Sequence, residues 1–252
     1  MSSVAATAPA GAHAQDEEIV RVYVWEVPVR ICHWLIACSI VVLSVTGFYI
    51  GGPFIGVFGE ARNHHVMAIM KVIHFYTAIV FTTSILVRVI WWLSGNMWAQ
   101  WHQFFPVDGR RFKGILGTLK FYTFLARKPP YATGHNPVAG LTYLAVFFLY
   151  VLVSATGFAM YSTMAPVGGF FRHFQWLIPI FGGVQIARWI HHIIMWLLLG
   201  FAVHHVYSAT LMSHIEKSGC MESIFSGYKF VPREEYEDER AHTKKRHKLA
   251  HD

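Results

Sequence analysis

Residues 187–212, ARWIHHIIMWLLLGFAVHHVYSATLM, are the most informative part of this chain. They form an apolar run that carries two pairs of adjacent histidines, His191-His192 and His204-His205. A helix that crosses a bilayer needs about 20 predominantly apolar residues, so the run is long enough to span a membrane. Histidine is costly inside lipid unless it has a function there. The run therefore predicts a transmembrane helix that binds a ligand through its histidines.

Three further apolar runs, at 31–50, 67–93 and 140–161, also have the length of a span. The aromatic stretch 170–181 is too short to cross and predicts an interfacial helix or a re-entrant cap. Of all residues 54% are hydrophobic and 14% are charged, whereas soluble domains carry about 25% charged residues. This composition argues against a soluble globule and against disorder. We expect an all-α integral membrane protein with a four-helix transmembrane bundle at 23–212.

Lysine and arginine predict the orientation of the bundle, because cytoplasmic loops carry an excess of both. The loop 94–139 holds six of them, and each of the other two loops between spans holds one. This loop and both termini are therefore expected in the cytoplasm. Residues 1–22 are predicted to be a mobile N-terminal segment rather than a signal peptide, and 213–252 a solvated, mobile tail. The net charge of +7 is explained by this topology, so no nucleic-acid partner is expected.

Six of the sixteen histidines lie in or against the predicted spans. These are His33, His74, His191, His192, His204 and His205. Depth sorts them into two levels, because successive spans run in opposite directions. The outer level holds the histidine of the second span with one of the pair at 191–192. The inner level holds the histidine of the first span with one of the pair at 204–205. A single buried histidine is usually structural, but six in four spans favour a ligand.

Helical geometry selects one histidine from each adjacent pair in the fourth span. Each residue turns about 100° and rises about 1.5 Å, so His191 and His205 point about 40° apart and lie about 21 Å apart in height. The other combinations diverge by about 120° or more, so we do not assign His192 and His204 as ligands. We predict an outer pair, His74 with His191, and an inner pair, His33 with His205.

Two imidazoles at each level favour heme. A zinc site would need three or four protein ligands at one point, whereas two histidines on opposite sides of one metal are typical of a six-coordinate heme iron. No CxxCH motif is present for covalent attachment, and the three cysteines form no CxxC pair. The sequence thus predicts two non-covalent, bis-histidine hemes b. With both axial positions filled, such irons transfer electrons and bind no substrate.

Three arginines near the span ends are candidate partners for the heme propionates. Arg30 and Arg88 lie at the inner side and Arg188 at the outer side. Arginines at these positions also mark topology and extend their charge to the membrane surface. Both interpretations stay open from the sequence.

A short internal repeat ends the first and third spans. Ser44-Val45-Thr46-Gly47-Phe48 matches Ser154-Ala155-Thr156-Gly157-Phe158. Glycine at these positions lets a flat ligand or a neighbouring backbone come close. The repeat therefore indicates either a cofactor contact or tight helix packing.

Several motifs resemble, in their order along the chain, the b-type cytochrome subunit of membrane-bound nickel–iron (uptake) hydrogenases. The most specific is Val24-Trp25-Glu26-Val27-Pro28-Val29-Arg30 followed by His33-Trp34. The resemblance covers about residues 20–230. The other matching motifs are Ile73-His74-Phe75, Arg88 with Gly95-Asn96, His135-Asn136-Pro137, Thr156-Gly157-Phe158, His191 to Trp196, and His205-Val206-Tyr207.

The resemblance implies a four-helix, di-heme protein that anchors a periplasmic hydrogenase to the bacterial cytoplasmic (inner) membrane. In that family, electrons from dihydrogen pass through the iron–sulfur clusters of the small subunit to an outer heme, an inner heme and a quinone. The family's ligand positions fall on His74 with His191 and on His33 with His205. The implied partners are the small iron–sulfur and large nickel–iron subunits on the periplasmic face, the quinone and the lipid bilayer. The chain itself would not catalyse hydrogen oxidation.

The same four histidines fit a second function. A stand-alone cytochrome of the b561 type, passing electrons between a soluble donor or reactive oxygen and quinone, would use identical ligands. A heme-free metal transporter that carries histidines is a more remote alternative. The histidines therefore do not distinguish a hydrogenase subunit from a stand-alone cytochrome. The proteins with which the chain assembles would distinguish them.

Overall fold

The computed structural model describes residues 18–54, 65–105, 109–127, 133–134 and 136–249. Within these ranges it contains four helices long and apolar enough to cross a membrane, which confirms the predicted multi-pass helical bundle. The spanning helices are α1 Val27–Gly51, α2 Val66–Ser94, α4 Pro137–Ser162 and α6 Val184–Glu216. The shorter helices are α3 Gly109–Tyr122, α5 Leu177–Ile180, α7 Cys220–Ser226 and α8 Arg233–Leu249.

Proline and asparagine set the starts of α1 and α4. Pro28 lies in the first turn of α1 and Pro137 begins α4, where the missing amide hydrogen costs no helical hydrogen bond. Asn136 caps α4, because its side-chain oxygen accepts from the Val138 amide at 3.0 Å. The start of α1 in turn sets the height of His33 in the bundle.

The bundle consists of two helix pairs, α1 with α2 and α4 with α6, that share one core. The core residues come from all four helices and are Ile36, Phe81, Ile85, Val146, Tyr150, Ile194 and Leu198. Large apolar side chains on the opposite faces, such as Val45 and Trp196, are exposed, as expected for helices whose outer surface contacts lipid. The core lies between the levels of the outer and inner histidine pairs.

The aromatic stretch after α4 is too short to span, as predicted. It forms a 3₁₀ helix, Phe170–Trp176, followed by α5. Phe171 contacts Phe75 and Tyr161 with ring centres 5.0 and 5.4 Å apart. Because Phe75 follows His74, this stretch packs over the end of the bundle that holds the outer pair.

The structure corrects the predicted terminal segments by adding a two-stranded sheet outside the bundle. β1 Ile19–Tyr23 pairs antiparallel with β2 Tyr228–Pro232. Residues 1–17 lie outside the described residues, but the rest of the segment predicted as mobile contributes to this strand. The tail predicted from residue 213 is also folded over most of its length, because α6 continues to Glu216 and is followed by α7, β2 and α8.

We call β1, α7 and β2 the terminal cap, and long-range packing explains why the sequence does not reveal it. Its hydrophobic core joins residues from distant parts of the chain, namely Val22, Val24, Trp25, Val29, Trp98, Ala99 and Val231. Lys229 is only 4% exposed and donates to the Gly134 carbonyl at 3.3 Å. Partners so far apart leave no local pattern in a mixed-charge tail, so the tail looks solvated when taken alone.

Candidate functional site

The structure brings the four predicted histidines together in two pairs. In the outer pair, the ring centres of His74 and His191 lie 6.4 Å apart with an angle of 52° between the planes. In the inner pair, the ring centres of His33 and His205 lie 6.2 Å apart at 55°. The outer pair joins α2 to α6, and the inner pair joins α1 to α6. Three of the four spanning helices therefore contribute a histidine.

Both separations fit two imidazoles that share one metal. With metal–nitrogen bonds of about 2 Å on opposite sides of an ion, two ring centres lie about 6 Å apart. The part of the chain that the structure describes holds no group of three or more His, Cys, Asp or Glu able to bind a metal ion. The donor set is therefore two imidazoles per level, which suits a metal that brings its other ligands with it, as heme iron does.

The adjacent histidines of α6 face the other way, as helical geometry predicts. His191 and His205 are half-buried, whereas His192 and His204 are exposed. The His204 ring lies 3.3 Å from the Ser208 hydroxyl, one turn further along α6. His192 lies beside the end of α1, where its Cε1 is 3.3 Å from the Cβ position of Gly51. Neither ring takes part in the two pairs.

Threonine hydroxyls hold both rings of the outer pair. Thr46 Oγ1 lies 2.9 Å from His74 Nδ1, and Thr156 Oγ1 lies 3.0 Å from His191 Nδ1. Both threonines are buried. The glycine after each threonine faces the same ring, since a Cβ on Gly157 would lie 3.3 Å from His191 Cε1. The internal repeat thus surrounds the outer histidines, whereas sequence reasoning singled out only its glycines.

The inner pair has a different environment. The Tyr143 hydroxyl lies 3.2 Å from His205 Nδ1, and Phe201 stacks on the His205 ring at 5.5 Å and 18°. His33 Nδ1 is buried and has no hydrogen-bond partner among the described residues. The Trp34 ring meets His33 edge-on at 5.2 Å. Sequence reasoning missed Tyr143, because a single tyrosine in an apolar span is unremarkable.

The three candidate arginines differ in burial. Arg88 is 6% exposed and donates to the Ala99 carbonyl at 3.3 and 3.4 Å. No ion pair between described residues includes it. Arg30 donates to the Phe225 carbonyl, and its Nε is buried with no hydrogen-bond partner among the described residues. Arg188 is exposed and donates to Gln185 Oε1 at 2.9 Å. Two inner-side cations therefore have unused hydrogen-bonding capacity, whereas the outer one lies at the surface.

The motif at the start of α1 binds the inner end of the bundle to the terminal cap. Glu26 Oε2 accepts from the Trp91 indole and from the Asn96 amide, both at 2.7 Å. Trp25 Nε1 donates to Ser223 Oγ on α7 at 3.0 Å. Asn96 Nδ2 completes the connection by donating to the Val24 carbonyl at 3.0 Å. Val24, Trp25 and Glu26 of this motif thus have structural contacts of their own. His135 of a later motif lies outside the described residues.

The free cysteines do not add to the site. Cys32, which precedes His33 in the sequence, is buried, Cys38 is exposed, and Cys220 begins α7. Burial raises the pKa of the Cys220 thiol, so this side chain is a neutral thiol rather than a reactive thiolate at neutral pH.

Comparisons with known proteins identify the relatives of this chain. The model of a family described as prokaryotic cytochrome b561 matches residues 24–227. The chain is 36% identical over 222 residues to the "Probable Ni/Fe-hydrogenase B-type cytochrome subunit" of Cupriavidus necator, covering 87% of this chain and 91% of the relative. It is 35% identical over 240 residues to the protein of that name from Bradyrhizobium diazoefficiens, covering 90% and 97%. A "Probable Ni/Fe-hydrogenase 1 B-type cytochrome subunit" of Escherichia coli K12 is 34% identical over 221 residues, covering 85% and 93%.

Proposed function

The chain belongs to the prokaryotic cytochrome b561 family, and from the names of its relatives we propose that it is the b-type cytochrome subunit of a membrane-bound nickel–iron hydrogenase. In this role it accepts electrons that the hydrogenase takes from dihydrogen and delivers them to the membrane quinone pool. Catalysis of hydrogen oxidation belongs to the partner subunits. The names of the relatives, which cover most of both chains, support the hydrogenase partner.

Two hemes b carry the electrons in this proposal, and the two facing histidine pairs are the observation that supports them. His74 with His191 would hold the outer heme and His33 with His205 the inner heme, because each pair has the ring separation that one metal requires. A heme held by each pair would supply a one-electron iron centre for electron transfer. Gly47 and Gly157 leave space beside the outer rings, since neither glycine places a Cβ there.

Arginines would bind the heme propionates. Arg88 suits this role best, because it is buried, forms no ion pair with another described residue, and a buried charge is costly unless it is paired. Arg30, whose buried Nε has no hydrogen-bond partner in the described part of the chain, would serve the same heme. Arg188, which is exposed, would serve the outer heme more weakly.

The distribution of lysine and arginine supports an orientation of the bundle in the membrane, and this orientation gives the direction of electron transfer. The basic loop 94–139 joins α2 to α4 at the end of the bundle that carries the inner pair, so this end would face the cytoplasm together with both termini. The outer pair would then lie near the periplasmic face, within reach of the small iron–sulfur subunit and its large nickel–iron partner. The quinone would bind near the inner pair. The whole complex would reside in the bacterial inner membrane.

The test is purification from the native membrane. We expect the chain to copurify with two hydrogenase subunits, to contain two hemes b per chain, and to be reduced by dihydrogen. His74→Ala should lose one heme and abolish electron transfer from dihydrogen to quinone, while oxidation of dihydrogen by soluble dyes persists. His192→Ala is the matched control and should change neither activity, because its ring is exposed.

Two outcomes contradict the proposal. If the chain purifies alone and dihydrogen never reduces it in the native membrane, the stand-alone cytochrome is the better function. If the purified chain shows no reduced b-type α band, heme is absent and the histidines have another role.

A further inference from the structure

The short repeat of the sequence extends over both halves of the bundle. Thr156 on α4 follows Thr46 on α1 by 110 positions, and His191 on α6 follows His74 on α2 by 117. The same offsets relate the hydrogen bonds, because Thr46 and Thr156 each hold the outer histidine of the helix that packs beside their own. The outer site therefore consists of two equivalent halves, each with one threonine and one histidine.

The repeat is broken at the inner level. The offset of 110 places Tyr143 on α4 where α1 has His33, and the offset of 117 places His205 on α6 where α2 has Arg88. Tyr143 contacts His205 within one half, but His33 has no hydrogen-bond partner for Nδ1 among the described residues. Among the described residues, a hydroxyl group thus contacts Nδ1 of both imidazoles at the outer level but of only one imidazole at the inner level.

The threonines must act as acceptors toward the histidines. A hydroxyl group has one hydrogen. Thr46 Oγ1 lies 2.7 Å from the Val42 carbonyl, and Thr156 Oγ1 lies 3.0 Å from the Leu152 carbonyl, so each hydroxyl donates to its own helix. The bond to each histidine then uses an Nδ1–H that donates to the threonine oxygen. This assigns the lone pair of both rings to Nε2, the nitrogen left for a metal.

We propose that Thr46 and Thr156 are a matched pair of positioning residues that orient the outer histidines and lower the reduction potential of the heme bound there relative to the inner heme. This inference rests on the proposed heme function. An acceptor for Nδ1–H makes the imidazole a stronger electron donor, which stabilises the oxidised iron. With two such acceptors at the outer level and one at the inner level, transfer of one electron from a reduced outer heme to an oxidised inner heme would be favourable.

The test is a redox titration of the heme α band in the purified complex, with heme content measured in parallel. Thr46→Val and Thr156→Val keep the shape of the side chain and remove the hydroxyl, and we expect each to raise the potential of the outer heme. Repeating them in a His33→Ala background, which should retain only the outer heme, assigns the shift. Thr46→Ser and Thr156→Ser should restore the potential, because serine keeps the acceptor.

Thr82→Val is the control for substitution inside the bundle. Thr82 on α2 donates to Ser154 Oγ at 3.2 Å and has no bond to either histidine pair, so both potentials should stay unchanged. Loss of the outer heme in a valine variant with retention in the serine variant also supports the inference. It is overturned if both valine variants keep two hemes at unchanged potentials, if serine behaves as valine, or if Thr82→Val gives the same shift. A wild-type protein without heme would instead contradict the proposed function.

Discussion

The outer and inner histidine pairs have almost the same separation but different supports. The outer rings, 6.4 Å apart, each contact a buried threonine on a neighbouring helix. Of the inner rings, which lie 6.2 Å apart, the His205 ring contacts the Tyr143 hydroxyl, whereas His33 Nδ1 has no hydrogen-bond partner among the described residues. The ring separation alone therefore does not distinguish the sites. The difference lies in the groups that contact the Nδ1 atoms of the rings. Two equivalent threonines of the repeat contact the outer pair, whereas the contacts of the inner pair follow no repeat.

At the inner end of the bundle, contacts at the start of α1 take the place of the threonine–histidine bonds of the outer end. Glu26 connects α1 to α2 by accepting from Trp91 and Asn96, and Trp25 and Arg30 reach Ser223 and Phe225 of α7. These contacts hold the first turns of α1, from which His33 extends. The bonds to Ser223 and Phe225 thus add contacts from the terminal cap at the end of the bundle where the repeat is broken.

The largest effect should come from removing one ring of the inner pair. His205→Ala should reduce heme content from two to one per chain and stop quinone reduction, because one imidazole leaves an axial position of the iron open. His204→Ala on the adjacent, exposed position should retain both hemes. Pyridine hemochrome analysis of the two purified variants measures this directly. Equal heme loss in the His205→Ala and His204→Ala variants would mean that the face of α6 on which a histidine lies does not determine whether it binds heme.

Local sequence patterns predicted the bundle well, because they depend on properties within single helices. Apolar length located the spans, and the turn of about 100° per residue was enough to distinguish His191 from His192. The terminal cap escaped prediction, since β1 and β2 come from opposite ends of the chain and neither can form a sheet alone. Tyr143 and the two threonines escaped because their partners lie on other helices.

A smaller effect should follow from cutting the connection at Glu26. Glu26→Ala leaves the half-buried Trp91 and Asn96 donors without their acceptor, which costs at most about 1–3 kcal/mol for each group. We expect a lower unfolding temperature, with the inner heme lost before the outer heme on heating, as followed by the α band. Glu26→Gln keeps an acceptor oxygen and should lose much less. Glu18→Ala removes only a surface ion pair with Arg233 at 3.3 Å and should cost about 0–1 kcal/mol.

Removing the charge at Arg88 should change the inner heme more than removing that at Arg188 changes the outer one. A nearby positive charge stabilises the reduced form of a heme, so Arg88→Gln should lower the potential of the inner heme, by on the order of 60 mV for a tenfold change in the one-electron equilibrium. Arg188→Gln should have a smaller effect, because water and salt screen an exposed charge. Redox titration of both variants compares them. A larger shift from Arg188→Gln would mean that the propionates are not bound as proposed.

The smallest effect should come from Tyr143→Phe, which changes one hydroxyl and leaves both ligands in place. His205 Nδ1 then loses its acceptor, so the potential of the inner heme should rise slightly while heme content stays at two. The shift should be smaller than that from removing both outer threonines, because one imidazole is affected instead of two and the bond is longer, 3.2 Å against 2.9 and 3.0 Å. Tyr150→Phe is the control, since Tyr150 packs edge-on against Phe81 in the core and not against either pair. If Tyr143→Phe moves the inner potential as far as the double threonine variant moves the outer one, the number of Nδ1 acceptors does not set the difference between the two sites.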